Sequence, residues 1–338
     1  MTKIIIAIAM FLFLILFHEF GHFIVAKLSG IKVNEFSVGM GPEIFSTVKG
    51  ETQYSLRLIP IGGYCAMEGE DEESDDERSF ENAPAYKRFL TILAGPVMNL
   101  LLAFLIFSVV AFNTGSPTRF VGGFPEESPA RDAGIEVGDE VRMVGDKEVV
   151  EFADISKNIS EFYEKNEEDE TIPVRIYREN EGEKDFSLKP FEVNGAKAIG
   201  IESQLGDNGF FESIKDGILE TGRNIKMIFT VLGGLFTGKI AFSALSGPIG
   251  VVKELGNQAS NGLMSLLYFL SYISVNLAIF NLLPIPALDG SKLVTSFYEM
   301  VTNKKVNKKI EGIVTVVGFV LLIGLIIIIS VKDIFTLL

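Results

Sequence analysis

The stretch of the chain best equipped for chemistry is FHEFGHF, residues 17–23. It lies in a run of Ile, Leu and Phe that otherwise reads as lipid-facing helix. The chain has two histidines, His18 and His22, and both are here, with Glu19 beside the first. On a helix, positions i and i+4 are about 40° apart around the axis. The two imidazoles therefore share one face, one turn apart, and at that spacing they can bind one Zn2+. Glu19 can then act as general base toward a water on the metal, while the metal polarises the carbonyl under attack. Gly21 leaves room beside the site. A hydrogen-bonded histidine pair inside a helix bundle is the plainer reading. The HExxH spacing and the cost of ionisable groups in an apolar span weigh against it.

A catalytic zinc takes three protein ligands and keeps one position open. No third histidine exists, so the third ligand must be a carboxylate or Cys65, the single cysteine. The stretch NLLPIPALDG, residues 281–290, offers Asp289, the only charged residue between Glu254 and Lys292. Pro284 and Pro286 prevent regular helix just before it. Irregular backbone at membrane depth is tolerated where it lines a cavity or is buried in protein. Asp289 could instead cap the helix that follows, since Asp is a favoured cap. Paired with a metal motif that lacks a ligand, it reads better as that ligand.

The elements that must position these groups are mostly apolar. Hydrophobic residues make up 48% of the 338, mean hydropathy is +0.33, and the chain falls in the membrane class. Four runs reach the roughly 20 residues needed to span a bilayer: 4–26, 89–112, 263–283 and 312–331. The first could be a signal peptide, but no small-residue cleavage site follows it, and it reads as a retained helix. The Lys-rich loop at 304–309 predicts a cytoplasmic side for that loop. Counting back puts 27–88 inside, 113–262 outside and both termini outside, with the site toward the cytoplasm.

The expected organisation follows. An N-terminal membrane part, 1–112, holds the first two spans and, over 27–88, short β-like runs broken by Gly and Pro. A soluble domain covers 115–205, an amphipathic region 206–262, and a C-terminal membrane part 263–338. In the soluble domain DEVRMVG, TIPVRIYRE, KDFSLKP and AIGIES read as strands and 152–163 as helix. Net charge is −14, which argues against a nucleic-acid partner. Residues 68–77, EGEDEESDDE, hold eight acidic side chains and no basic one. Such a block reads as a solvated flexible loop.

These residues resemble the site-2 protease family of intramembrane zinc metalloproteases, the bacterial RseP-type branch in particular. HEFGH at 18–22 and LDG at 288–290 match its two signatures. GMGP at 39–42, PIGGY at 60–64, AGPVMN at 94–99 and SGPIGVV at 246–252 also match. SPARDAGIEVGDEV at 128–141 looks like the opening of a PDZ domain. The resemblance implies a polytopic α-helical membrane protein with four transmembrane helices, a small membrane-associated β-segment and an inserted PDZ-like α+β domain. It implies zinc held by His18, His22 and Asp289, with Glu19 as base. Asn281, Pro284 and Pro286 match a stretch implicated in substrate handling. The β-segment carrying Gly39, Gly41, Gly62 and Gly63 would pair with an unwound substrate strand. Asn99 matches the family's GPxxN motif, as an accessory group or as an interhelical polar contact.

The implied partners are the bilayer and single-span membrane proteins, often anti-sigma factors, already trimmed by another protease. The implied location is a bacterial cell membrane. Three features depart from the family: a single PDZ-like segment, Ser291 after the LDG glycine, and the acidic run 68–77, which has no counterpart there. A silent PDZ-bearing scaffold is the alternative function, and a metal transporter a third. An intact Glu19 argues against the scaffold, and the concentration of ionisable groups in one site argues against the transporter.

Overall fold

The computed structural model describes residues 2–70, 74–166, 168–193, 196–241 and 246–337. The chain divides into two compact units, one formed by Met1–Val110 with Ile214–Leu338, the other by Ala111–Ser213.

The first unit opens with α1 (Thr2–Leu28), β1 (Val33–Lys49), β2 (Thr52–Met67) and α2 (Ala85–Thr114). Among the described residues, four helical stretches are long and apolar enough to cross a membrane: Ile5–Leu28, Ala85–Thr114, Leu263–Leu282 and Lys309–Phe335. Their outward faces are apolar as well, with Phe13, Val109, Phe319 and Ile328 exposed. Water would not support that surface, but hydrocarbon does, because only helices with internally satisfied backbones or closed barrels are stable there.

β1 and β2 each turn back on themselves. Val38 consequently pairs with both Gly63 and Leu56. The lateral order of the runs is 43–49, 52–58, 33–40, 62–67, which leaves 62–67 at an edge. The faces are inverted relative to a soluble sheet. Ser37, Thr52 and Ser55 are buried, while Met40, Phe45, Leu56 and Leu58 are exposed. Inside, Glu35 accepts from Ser55 and Arg57, and the Arg57 guanidinium lies 5.3 Å from the Tyr64 ring centre.

Among the described residues of the acidic segment, Glu68, Glu70 and Asp76 are ion-paired rather than freely solvated. Glu68 and Asp76 lie 3.4 and 3.0 Å from the Lys32 ammonium, and Glu70 lies 2.8 Å from that of Lys292. Cationic side chains from other elements offset the like-charge repulsion. Asp71, Glu72 and Glu73 lie outside the described residues.

The second unit contains β3 (Ser116–Gly123), α3 (Pro129–Asp132), β4 (Glu140–Val144), β5 (Lys147–Glu148), α4 (Phe152–Lys165), β6 (Ile172–Arg178), β7 (Gly182–Leu188), β8 (Phe191–Val193), β9 (Ala196–Ala198) and β10 (Glu202–Gly206). The main sheet runs β10-β3-β4-β6-β7, with β5 paired to β4. Ile172, Val174 and Ile176 alternate inward from β6, and Ile155, Ile159 and Tyr163 meet them from one face of α4. Asp139 is buried beneath the Arg178 guanidinium, which donates to both of its carboxylate oxygens at 2.8 and 2.7 Å. The stretch AIGIES is not one strand: β9 ends at Ala198 and β10 begins at Glu202. Between them the Gly200 carbonyl accepts from the buried Ser128 hydroxyl.

The chain continues with α5 (Phe210–Phe236), α6 (Pro248–Ser260), α7 (Leu263–Leu282), α8 (Asp289–Thr302) and α9 (Lys308–Leu337). The region expected as an amphipathic linker is therefore two helices, and both belong largely to the first unit. The apolar stripe of α5 buries Ile228 against Ala103, Phe107, Val275 and Ile279 of α2 and α7. At the start of α6, the Gly250 N–H donates to Asp333 of α9 at 2.9 Å.

Candidate metal centre

The site lies within the first unit and is built by α1, α2, β2 and α8. His18 and His22 project from one face of α1 and are 6% and 7% exposed. Their ring centres are 4.8 Å apart, edge to face. The face they occupy packs on α2 at two glycines. A Cβ at Gly21 would fall 2.8 Å from both the Ala94 carbonyl carbon and Met98 Cγ. A Cβ at Gly95 would overlap His22 Nε2 and stand 2.9 Å from His18 Cε1. Helix and histidines approach this closely only because side chains are missing there.

Asp289 reaches the same point from 267 residues downstream of His22. The loop before it leaves helical geometry at the two prolines, and Ala287 adopts a positive φ of 73°. Asp289 is the first residue of α8, yet the helix has no side-chain cap. Its carboxylate turns instead to the histidines. His18 Nε2 is 3.0 Å and His22 Nε2 3.4 Å from Asp289 Oδ2, and the two Nε2 atoms are 3.2 Å apart. Asp289 Oδ2 is buried and receives no aligned donor.

This donor set fits zinc. Ligand atoms about 2.0–2.1 Å from a tetrahedral Zn2+ stand roughly 3.3 Å from one another. The three edges found are 3.0, 3.2 and 3.4 Å. Two neutral imidazoles and a carboxylate are borderline ligands of the kind zinc takes. Among the described residues, His18, His22 and Asp289 are the one group of three such side chains able to share an ion. Cys65 does not belong to it. Burial, with Glu19 adding to it, raises the pKa of the Cys65 thiol, and its contribution is a backbone one: Cys65 N–H donates to Glu19 Oε2 at 3.1 Å.

Glu19 stands between two cavities. One, of about 440 Å3, is lined by His22, Asp289, the 64–67 run of β2, Glu70 and Lys292. The other, of about 210 Å3, is lined by His18, Asp289 and Asn281. Asn281 is thus brought to the site. Pro286 packs its ring on Gly318 of α9, and Pro284 is exposed. Gly39, Gly41, Gly62 and Gly63 lie at the bends of β1 and β2, the first three with positive φ. They shape the sheet and do not line either cavity. Asn99 is fully buried, its side-chain nitrogen 3.2 Å from His18 Nδ1.

Three contributors escaped sequence reasoning. The Thr91 carbonyl accepts from His22 Nδ1 at 2.8 Å; a backbone acceptor has no signature in residue type. The Cys65 amide is equally silent, and Gly95 stood out only as part of AGPVMN at 94–99, with no sign of its contact with His22. Lys292 and Glu70 were visible only as charges, with nothing in the sequence to pair them.

Apolar spanning helices that bury a His-Glu-x-x-His turn against a distant carboxylate define a membrane metallopeptidase. The chain belongs to Peptidase family M50, whose model matches residues 6–325. It is 38% identical to a protein of Clostridium acetobutylicum over 98% of this chain and 97% of that one. It is 36% identical to one of Clostridium perfringens over 98% of each. A Staphylococcus aureus relative is 28% identical over 99% of this chain and 98% of its own length. All three are named as candidate zinc metalloproteases.

Proposed function

We propose that the chain is an intramembrane zinc endopeptidase that cleaves peptide bonds within the membrane-spanning segments of single-span proteins. The observation that carries this reading is the convergence of His18 Nε2, His22 Nε2 and Asp289 Oδ2 within 3.4 Å of one another, beside Glu19. Those three residues would hold the ion. When bound, zinc supplies Lewis acidity and makes water a competent nucleophile near neutral pH.

Glu19 takes the proton from the attacking water and delivers it to the leaving amine. Its carboxylate is held for that task by the Cys65 N–H. Asn281, on the smaller cavity, is within the site's surroundings and suited to hold a substrate carbonyl. A helical peptide bond is shielded by its own hydrogen bonds, so the substrate must be opened before it is cut. Residues 64–67 of the edge run border the larger cavity, and an extended substrate strand would add to that edge. Pro284 and Pro286 would keep the Asp289 loop non-helical beside that strand.

The 111–213 unit acts, in this reading, as a PDZ-like size filter or docking module outside the membrane, admitting substrates already trimmed by another protease. The enzyme sits in a bacterial cell membrane with both termini outside and the site toward the cytoplasm, in keeping with Lys27, Lys32, Lys87 and Arg88 near the inner ends of the first two spans. Anti-sigma factors are the substrate class this would serve. A tagged single-span protein co-expressed with wild type or Glu19→Gln tests it: cleavage by wild type alone is expected, and equal cleavage by both would overturn the mechanism.

A further inference from the structure

The two histidines hold their distal nitrogens against different partners. His22 Nδ1 faces the Thr91 backbone carbonyl at 2.8 Å. A carbonyl oxygen only accepts, so His22 carries its proton on Nδ1 and turns the lone pair of Nε2 inward. His18 Nδ1 faces the carboxamide of Asn99 at 3.2 Å. A carboxamide offers an acceptor on one side and a donor on the other, and the two are nearly isosteric. Which of them meets His18 decides where the proton on that ring resides.

With the amide nitrogen toward the ring, Asn99 Oδ1 is buried without a partner. His18 would then carry its proton on Nε2, in a space already holding His22 Nε2 at 3.2 Å and Asp289 Oδ2 at 3.0 Å. With the amide reversed, Oδ1 accepts from Nδ1–H, and His18 Nε2 presents a lone pair alongside that of His22. Metal-binding histidines gain orientation and basicity from an acceptor on the second nitrogen. Asn99 is placed for that role from its backbone outward. Its carbonyl accepts from the buried Ser274 hydroxyl of α7 at 2.8 Å, and the residue is 0% exposed.

We propose that Asn99 is a positioning residue that presents its side-chain oxygen to His18 Nδ1–H, fixing the ring tautomer in which His18 Nε2 can bind a metal ion. On α2 it does by side chain what Thr91, two turns earlier, does for His22 by backbone. The inference rests on the zinc-site reading and goes beyond it by assigning the tautomer and the residue that sets it.

Because the chain has two histidines, 15N-histidine labelling of the full-length protein in detergent or lipid gives four ring nitrogens, all from this site. In the zinc-loaded protein both Nδ1 nitrogens should carry protons and both Nε2 nitrogens should not. A proton on His18 Nε2 would overturn the proposal without any variant. Zinc competition against a chelator supplies the second arm. Asn99→Leu, which keeps the shape and removes the acceptor, should lose about 10–100-fold in affinity. Asn99→Asp, which can only accept, should restore binding to within a few-fold of wild type. An Asp variant as weak as the Leu variant, or a Leu variant as tight as wild type, would overturn it. If wild type itself takes up no zinc, it is the site reading that fails, separately from the role of Asn99.

Discussion

Gly95 of α2 lies against the imidazole of His22, so close that even a methyl group at position 95 would overlap His22 Nε2. The helix crossing and the ligand geometry are therefore one constraint. The ring is wedged between a carbonyl on one side, Thr91, and a bare backbone on the other.

Gly95→Ala is expected to displace His22 rather than unfold the chain, since an added methyl in a tight helix contact costs about 1–3 kcal/mol. Zinc content measured on purified protein should fall well below one per chain while the helical circular dichroism stays unchanged. Full zinc occupancy in the variant would show that the ring has room to give.

Glu19→Gln keeps size and the contact with the Cys65 amide but removes the base. Cleavage of a tagged membrane substrate should drop by about 10²–10⁴-fold, with zinc retained. Loss of zinc along with activity would instead make Glu19 part of the donor set.

Asp289→Ala removes one corner of the donor triangle. Bound zinc should fall from about one per chain, the stoichiometry of a mononuclear site, to trace levels, as it should on prolonged treatment of wild type with a chelator. Readdition of zinc should restore activity to chelated wild type but not to the variant.

The Asp139–Arg178 pair makes the 111–213 unit sensitive to acid. Burial alone would raise the Asp139 pKa, but the Arg178 guanidinium and the Glu136 N–H outweigh it, and the carboxyl titrates below its ordinary range. A depressed carboxyl contributes stability above its unfolded pKa, near 3.9, that is lost as pH falls through the folded value. Hydrogen-exchange protection factors in β6 and β7 should therefore fall below about pH 4 in wild type. Asp139→Asn should already lower protection at neutral pH, because Arg178 then keeps only Glu136 and the Gly134 carbonyl as strong partners, and should show less of the acid dependence.

How much of this was legible in advance depends on which forces leave a trace in residue type. The spanning helices did, because hydrocarbon demands long apolar runs. α1 extends past its expected ends at 4 and 26 only because helices continue beyond the apolar stretch. The candidate ligands did too, since His18, His22 and Asp289, together with Glu19, are the ionisable groups of otherwise apolar stretches. The sheet within 27–88 was legible as short β-like runs, but its fold-back and its facing were not. Ser55 and Arg57 alternate with Tyr54, Leu56 and Leu58, but alternation carries no sign, and nothing local says that Leu56 and Leu58 point outward. Nor was the pairing of the acidic segment legible. Composition reports its repulsion, whereas Lys32 and Lys292, which offset that repulsion, come from distant positions. The strand β3 was also missed, since SPTRFVGG is short, has proline as its second residue and ends in two glycines.

The 62–77 region carries a last testable consequence. Exposed ion pairs contribute about 0–1 kcal/mol each, so Lys292→Ala should leave the overall melting temperature nearly unchanged. Limited proteolysis at residues 68–77 should nevertheless speed up, as Glu70 loses the ammonium 2.8 Å away. An unchanged nicking rate would mean that the Glu68 and Asp76 contacts with Lys32 suffice to hold the segment.

The 111–213 unit enters and leaves through adjoining strands. Ser116 of β3 pairs with Gly206 of β10, and neighbouring strands are about 4.8 Å apart. A chain whose outgoing and returning ends lie side by side carries its insertion as a cassette. The unit can be excised, duplicated or exchanged for another while the two cut ends rejoin through a linker of a few residues. Variation in that unit can then proceed apart from variation in the membrane unit that carries the candidate metal site.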